Sequence, residues 1–282
     1  MTGIPSRNEA GFTLVELAVA VVLTALILAT ALSTTFNMQS SWDQSQDRVQ
    51  VTQNSRAALE MMARDLRMAG SGFAGRTLTT GGVPSRRMFP LQPRSGGAFG
   101  TDTLVVVGGS SGVSTGTAAI MQSPSDLLFV NDASGFEVGD LVVITDGGDA
   151  NLFEVTSKVP SVNRLDHAST SPYNTPADHD TWPAGGYPTG STVVKVERLT
   201  YWVDDTGPTA KLYRQTHHGD PVPIAQGVAS LLIRYVLADG SVVADPADPS
   251  LIRSVRIEYV GRSSRPTHAD TLRISTMPRV MG

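Results

Sequence analysis

An unbroken apolar segment near the N-terminus constrains the fold of this chain more than any other feature. Residues 12–32 carry a single ionisable side chain, that of Glu16. A helix needs about 20 apolar residues to cross the hydrocarbon core of a bilayer, and this segment supplies that length. Nearly all of the membrane-grade apolar sequence lies in this one block. The pattern therefore predicts one membrane-spanning helix joined to a water-soluble body.

Two common kinds of N-terminal segment fit this one poorly. A secretory signal has a shorter apolar region and then a small-residue cleavage site, whereas here the chain runs on past Leu32 without a Pro or a clear turn. An ordinary anchor has no use for Glu16, because a carboxylate at the centre of a span costs roughly 2.5–3.5 kcal/mol. Nearer the end of the span the cost is smaller, but the carboxylate still needs a partner. An anchor with an incidental glutamate stays open as the alternative.

The residues around Glu16 indicate what that partner is. The string GFTLVE at residues 11–16 resembles the type IV prepilin motif. The resemblance implies that residues 1–11 are a leader, that a prepilin peptidase cuts between Gly11 and Phe12, and that the new amine of Phe12 is methylated. The spacing from Phe12 to Glu16 is i to i+4, which puts the ammonium and the carboxylate on one helix face. Glu16 can also neutralise the ammonium of a neighbouring subunit, and a buried charge pair of this kind sets register in an assembly.

The helix is expected to continue beyond the membrane as a segment over residues 33–70. No Pro or Gly occurs between residues 12 and 69, so nothing in the sequence breaks the helix. Leu59, Met62, Leu66 and Ala69 recur at helical spacing and predict one buried face. The glycines at 70 and 72 predict its C-terminal end. Major pilins usually carry a proline in or just after the apolar segment, so its absence favours a minor subunit.

The rest of the chain predicts a β-rich head. Residues 71–102 are rich in Gly, Pro, Ser and Arg and are predicted to be a loop. Short β-branched runs at 103–108, 126–131, 140–145 and 152–157 predict a small inserted β subdomain over 103–168. Residues 169–191 form a Pro- and Gly-rich junction, and the alternating runs of 192–282 predict an antiparallel sheet. The predicted fold class is α+β and pilin-like, with the N-terminal helix packed on an antiparallel β-sheet head.

The order of strands in the last third, VERLTYWVDD to IEYVGRSS, resembles PilW-type minor pilins and J-type minor pseudopilins of type II secretion. The resemblance covers about 12–70 and 192–276. It implies a single-pass inner-membrane protein with a periplasmic head, which later enters a pilus or pseudopilus at the cell surface. The implied partners are the prepilin peptidase/methyltransferase and other minor and major pilins.

Composition limits the other functions. The net charge is −4, so no basic field is present to bind nucleic acid. The chain has no Cys, which excludes disulfides and thiolate chemistry. No catalytic set is recognisable, and nothing in the spacing ties a His or an Asp to a serine. We therefore predict that the protein is not an enzyme and needs no cofactor.

Three groups of polar or aromatic residues are candidates for ligand binding. We predict that none of them is a metal site. Asp146, Asp149, Asn151 and Glu154 offer oxygen ligands of the kind calcium prefers, but their spacing differs from the EF-hand loop and fits an Asp- and Gly-rich turn. His217 and His218 are adjacent, and on an extended chain their rings point to opposite sides. The aromatic residues Tyr173, Trp182 and Tyr187 either pack onto the head or form an adhesive patch.

The predicted function is that of a minor type IV pilin, assembled after leader cleavage and N-methylation and placed in a priming or tip complex. The tip-most subunit of related systems typically lacks the glutamate, so Glu16 indicates a position below another subunit. The alternatives are a minor pseudopilin of type II secretion, a subunit of a DNA-uptake filament, an adhesin, and a periplasm-facing membrane-anchored binding or enzymatic domain.

Overall fold

The computed structural model describes residues 14–73, 78–80, 86–94, 101–109, 111–174, 182–261 and 272–276. The predicted leader, with the cleavage position between Gly11 and Phe12, lies outside the described residues. The chain divides into two compact units, with the boundary between Gln50 and Val51. Each unit is described by itself below.

One long helix, α1, covers Leu14–Arg67 in 54 residues. The prediction of a helix without a break is confirmed over this range, and it follows from the absence of Pro and Gly. Beyond Arg67, turn bonds run from Met68 and Ala69 back to the last helical carbonyls. Gly70 then adopts a left-handed φ of 77°, the conformation in which glycine commonly ends a helix.

The head is built from short and long strands. Their bounds are β1 Leu78–Thr80, β2 Arg86–Met88, β3 Leu91–Arg94, β4 Thr103–Gly108, β5 Ser114–Gly116, β6 Leu128–Phe129, β7 Leu141–Thr145, β8 Ala150–Glu154, β9 Ser157–Val159, β10 Arg164–Asp166, β11 Thr192–Asp204, β12 Lys211–Gln215, β13 Val222–Gln226, β14 Val228–Leu237, β15 Val242–Val243, β16 Ile252–Gly261 and β17 Leu272–Thr276. Single 3₁₀ turns occur at Pro160–Val162 and Pro249–Leu251. A mostly β head with antiparallel sheets follows the helix, which confirms the α+β prediction.

Strand β11 organises the largest sheet. Its first half pairs with β5 and β7, and its second half pairs with β4 and β12. The order across this sheet is β13-β12-β11-β7-β8-β1-β2, while β3 joins through β4. The pairs are antiparallel except for the parallel pair β1–β8. Because β4 lies directly beside β11, the first strand of the 103–168 stretch and the 192–282 stretch share one sheet. The 103–168 boundaries of a subdomain stay a prediction.

Two smaller sheets complete the described head. One has the order β15-β14-β16-β17 and the other the order β6-β10-β9. The β14–β16 pair is long and antiparallel, running from Val228↔Gly261 to Leu237↔Ile252. The stretch predicted as a loop, 71–102, contains β1, β2 and β3 among its described residues. Strand β1 pairs with β8, which is distant in sequence, and β3 pairs with β4, the next strand along the chain.

The end of α1 packs into a core shared by two sheets. Its buried residues Ala58, Leu59, Met62 and Leu66, together with Ala69 just beyond it, share a cluster with side chains of β4, β11, β14 and β16. The predicted buried face of the helix is thus confirmed. A second core is formed mainly by residues 121–165, together with Tyr187 and Val193. A third lies around Phe73 and β8. Strand β11 contributes buried residues to all three.

A polar network ties α1 to the main sheet. The Tyr201 hydroxyl donates a short hydrogen bond to the Asp65 carboxylate. The Nε of Arg214 donates to Asp65 Oδ2 at 3.0 Å and lies 3.1 Å from the Tyr201 oxygen. Just beyond the helix, the Gly70 N–H donates to the Val107 carbonyl at 2.9 Å. The C-terminal turn of α1 is therefore fixed to β4, β11 and β12.

Candidate functional site

The apolar part of α1 is the first candidate site. Residues Leu14–Gln39 are long and apolar enough to cross a membrane, and none of the side chains in their most apolar window is buried. Within the described residues this is the single helix that meets that test. Length and composition alone do not distinguish a membrane span from a signal sequence. The sequence motif within this segment is therefore needed to make that distinction.

The apolar side chains of this segment surround the helix rather than forming one stripe. Consecutive positions such as 14 and 15, 21 to 23 and 26 to 28 all carry exposed Leu, Val or Ile. An ordinary surface helix has a polar side facing water. A helix that is apolar on every face requires either lipid or other apolar helices around it.

Four polar side chains of this segment are threonines that bond to their own helix. The hydroxyl of Thr24 donates to the Ala20 carbonyl at 2.7 Å. Thr34 and Thr35 donate to the carbonyls of Thr30 and Ala31 at 2.8 and 2.9 Å. Because each hydroxyl has a partner four residues back, no water is needed to satisfy it. These threonines are compatible with a lipid environment.

Glu16 lies in the first turn of α1 and is exposed. The unbonded backbone N–H groups at a helix N-terminus favour a negative charge there. Glu16 takes part in an interaction within the chain. The amine of Phe12 lies outside the described residues, so the predicted pairing with Glu16 stays a prediction.

Comparison with protein families gives one match in this segment. Residues 6–32 match the family model of the prokaryotic N-terminal methylation motif. The N-terminal segment is a prepilin-like leader and helix. A search among curated proteins found no significant relative. The methylation motif covers the predicted cleavage position, Glu16 and the apolar run as far as Leu32.

The methylation motif and the apolar helix together support a membrane-anchored, type IV pilin-like or pseudopilin protein. The motif implies processing by a prepilin peptidase and assembly with other pilins. It favours a structural subunit over an enzyme. Membership of the PilW-type or J-type group is a finer statement than a match over residues 6–32 supports.

The four predicted calcium candidates meet different partners. Asp146 accepts the N–H groups of Gly148 and Asp149 at 2.7 and 3.0 Å, which is the Asp-capped turn that the sequence offered as the alternative. Asn151 is buried and donates to the Tyr187 hydroxyl at 2.6 Å. Glu154 points toward a different group of residues. The absence of a metal at these four residues stays a prediction, and these contacts do not favour calcium binding by the four together.

Glu154 instead lies beside the two adjacent histidines. Its carboxylate oxygens are 3.7 Å from His217 Nε2 and 3.4 Å from His218 Nε2. The two rings have centroids 4.1 Å apart. The expectation that the rings diverge is wrong, because His217 and His218 lie in a bend between β12 and β13 and not on an extended strand.

The aromatic residues of the junction pack onto the head. Tyr187 is fully buried, and Trp182 contacts it edge to face with centroids 4.9 Å apart. The Trp182 indole N–H donates to the Gln122 carbonyl at 2.8 Å. Tyr173 contacts the His217 ring. For Trp182 and Tyr187 this confirms packing rather than an adhesive patch.

Burial perturbs several titratable groups of the head. It raises the pKa of Tyr201, with the neighbouring Asp65 acting in the same direction, and raises the pKa of Tyr187. Burial lowers the pKa of His167, whose Nε2 contacts the Asp126 carbonyl at 2.8 Å. Burial and the nearby His218 lower the pKa of His217.

Proposed function

We propose that this protein is a minor type IV pilin that assembles through its N-terminal helix into a priming or tip complex. The observation that carries the proposal is the continuity of one element. The methylation motif of residues 6–32 runs into an apolar helix exposed on every face, and the same helix, α1, supplies buried residues to the head core.

The proposed mechanism begins with processing. Cleavage between Gly11 and Phe12 exposes an ammonium group, and methylation of that amine keeps its positive charge. Glu16 follows by four residues, so its carboxylate can pair with this ammonium or with that of an adjacent subunit. In a low-dielectric bundle an unpaired carboxylate is costly. Pairing therefore favours one axial register between neighbouring helices.

The head supports the role of a filament subunit through its attachment to α1. The buried face from Ala58 to Ala69 and the Asp65 network hold the last turns of the helix against two sheets. The last turns of α1 are thereby anchored in the β core. A minor subunit is favoured by the helix Leu14–Arg67, which has no proline to kink it.

The experiment that tests the proposal is replacement of Glu16 in the native bacterium. In Glu16→Ala the leader is still removed, because the peptidase acts at Gly11, but the protein stays in the membrane fraction. Immunoblots of sheared filaments and of membranes measure the two pools. Glu60→Ala is the matched control, since Glu60 lies on the same helix, is exposed, and is outside the methylation motif.

The result separates the candidate functions. Wild-type protein in sheared surface filaments, with Glu16→Ala absent from them, supports a pilus subunit. Wild-type protein that stays in the cell envelope, in a strain whose secretion fails with Glu16→Ala, indicates the type II pseudopilin. Equal amounts of Glu16→Ala and wild-type protein in filaments contradict the assembly role of Glu16.

A further inference from the structure

The head contains a cluster of three metal-ligating side chains that the proposed function does not use. The nearest nitrogen or oxygen donors of Glu154, His217 and His218 all lie within 4.8 Å of one another. The nitrogen–oxygen distances in the cluster are 3.4 and 3.7 Å. Two ligands of a tetrahedral zinc ion, each bonded at about 2.1 Å, are about 3.4 Å apart. Each histidine approaches a different oxygen of the Glu154 carboxylate at a distance close to this spacing, and both distances exceed the roughly 2.7–3.2 Å of an ordinary N–H···O hydrogen bond.

The backbone and side chain of Glu154 are both held in place. The Glu154 N–H donates to Asn174 Oδ1 at 2.7 Å, and Asn174 Nδ2 donates to the Glu154 carbonyl at 2.6 Å. The Ser171 hydroxyl donates to Glu154 Oε2 at 2.6 Å. Asn174 and Ser171 are themselves buried. A ligating carboxylate is commonly oriented by such outer hydrogen bonds.

The two histidines are positioned by the turn between β12 and β13. The Gln215 side chain donates to the Gly219 carbonyl at 3.1 Å and closes this turn. The His218 ring lies over Gly139, where an added Cβ would come within 3.2 Å of its Cδ2 and Nε2. Glycine at this position thus leaves room for the ring.

The Nε2 atom of His217 is one of the buried polar atoms that the fold leaves without a hydrogen bond. It is buried and has no hydrogen-bond partner among the described residues. Its nearest carboxylate oxygen is the Glu154 Oε2 atom at 3.7 Å. A buried imidazole nitrogen without a partner is costly. A metal ion between His217, His218 and Glu154 would satisfy it.

We propose that Glu154, His217 and His218 bind one divalent first-row transition-metal ion of the zinc class. Two imidazoles and one carboxylate suit such an ion, whereas calcium and magnesium prefer sites made of oxygen ligands alone. His218 is about half exposed, at 54%, so the remaining coordination position faces solvent. The ion joins the end of β8 to the β12–β13 turn. This inference does not depend on the assignment as a pilin.

The test is a calorimetric titration of Zn²⁺ into the chelator-treated full-length protein in detergent. One ion binds per chain, and a chelator removes it. Replacing a ligand, as in His218→Gln or Glu154→Gln, weakens binding by more than about 100-fold. Ser171→Ala keeps all three ligands and weakens binding by about tenfold, the usual cost of losing an outer hydrogen bond.

The matched control is His167→Gln, a histidine of the same head whose Nε2 is already bonded to the Asp126 carbonyl. It binds Zn²⁺ as the wild type does. His218 is half exposed, so His218→Gln is expected to fold, and circular dichroism verifies this. Equal Zn²⁺ affinity of wild type, His218→Gln and Glu154→Gln overturns the proposal. Failure of the folded wild type to bind Zn²⁺ also overturns it.

Cobalt substitution reports the geometry of the site. Co²⁺ bound by two imidazoles and one carboxylate in a tetrahedral site gives strong visible absorption, which is lost in His218→Gln and kept in His167→Gln. Weak absorption that is identical in all three proteins indicates surface binding and contradicts the proposal. None of these readouts requires filament assembly, so failure of the metal site and failure of the pilin proposal are distinguishable.

Discussion

Removal of the Asp65 carboxylate tests how the polar network attaches α1 to the head. Asp65→Ala leaves the Tyr201 hydroxyl without its acceptor. Tyr201 is fully buried, and an unsatisfied buried donor costs about 1–3 kcal/mol. The Arg214 side chain keeps 26% of its surface exposed, so water partly replaces its lost partner at a cost of about 1 kcal/mol. The free energy of unfolding should fall by about 3 kcal/mol.

A double-mutant cycle isolates this network. Tyr201→Phe removes the hydroxyl but leaves Asp65 paired with Arg214, and should cost about 1 kcal/mol. In the Tyr201→Phe background Asp65→Ala no longer leaves a buried hydroxyl without a partner. Its cost should then fall to about 1.5 kcal/mol, which is a coupling energy of about 1.5 kcal/mol.

The assay is denaturant unfolding of the full-length protein in a mild detergent, followed by tryptophan fluorescence. Trp202 is a suitable probe because it stacks on Tyr213 at 5.7 Å, on the strands that carry the network. Glu60→Ala is the control on the exposed side of the same helix and should change stability by less than about 0.5 kcal/mol. If Asp65→Ala costs no more than the control, the network does not stabilise the attachment of α1. If the cycle is additive, Asp65 and Tyr201 are not coupled.

Two further changes test packing and protonation in the head. Gly108→Ala should destabilise the protein by about 3 kcal/mol, because the new Cβ would overlap the Met68 backbone carbonyl; Gly207→Ala, which adds its Cβ in open space, should leave the unfolding midpoint unchanged, and equal midpoints for the two variants would argue against the overlap. Burial lowers the pKa of His167, so the unfolded state takes up its proton first as the pH falls below about 6.5. Stability is therefore lost between that value and the lower folded-state pKa, and thermal unfolding at pH 7.5 and 5.5 should show a smaller loss in His167→Gln; an equal loss would exclude this contribution. His167→Gln also removes the contact between the imidazole ring and the Asp126 carbonyl.

The helix and many of the strands could be predicted because their signals are local. The run from residue 12 to residue 69 has no helix breaker, and the apolar spacing near Leu66 identified its buried face. The strand β4, Thr103–Gly108, was predicted with the bounds that the structure gives. Glycine at position 70 ended the helix as expected.

The contacts that could not be predicted from the sequence are those between segments that lie far apart along the chain. Glu154 lies at the end of β8, and His217 lies in the turn between β12 and β13. The two meet because β7, β11 and β12 separate and align these elements within one sheet. The backbone also bends at His217, so consecutive side chains there do not point to opposite sides as they do on an extended strand. Asp65 meets Tyr201 and Arg214 only after α1 packs on β11 and β12. Neither the residue types nor the sequence spacing of Asp65, Tyr201 and Arg214 indicates that these side chains meet.

The short strands between residues 78 and 94 illustrate the same limit. The segment that contains them, residues 71–102, is rich in Gly, Pro, Ser and Arg, which is typical of loops. They are strands because Thr79 pairs with Asn151 and Leu91 pairs with Val106. Such pairing depends on the remainder of the sheet and not on local propensity.

Mass spectrometry of the protein from native membranes or sheared filaments identifies the mature N-terminus and shows whether residues 1–11 are a cleaved leader. We expect a chain that begins at Phe12 with one methyl group on its amine, as the methylation motif at residues 6–32 implies. A chain that retains Met1, or one cut elsewhere such as after Ala31, would show that the protein is not processed as a prepilin. The head would then be a domain held by an ordinary anchor or released by a signal peptidase.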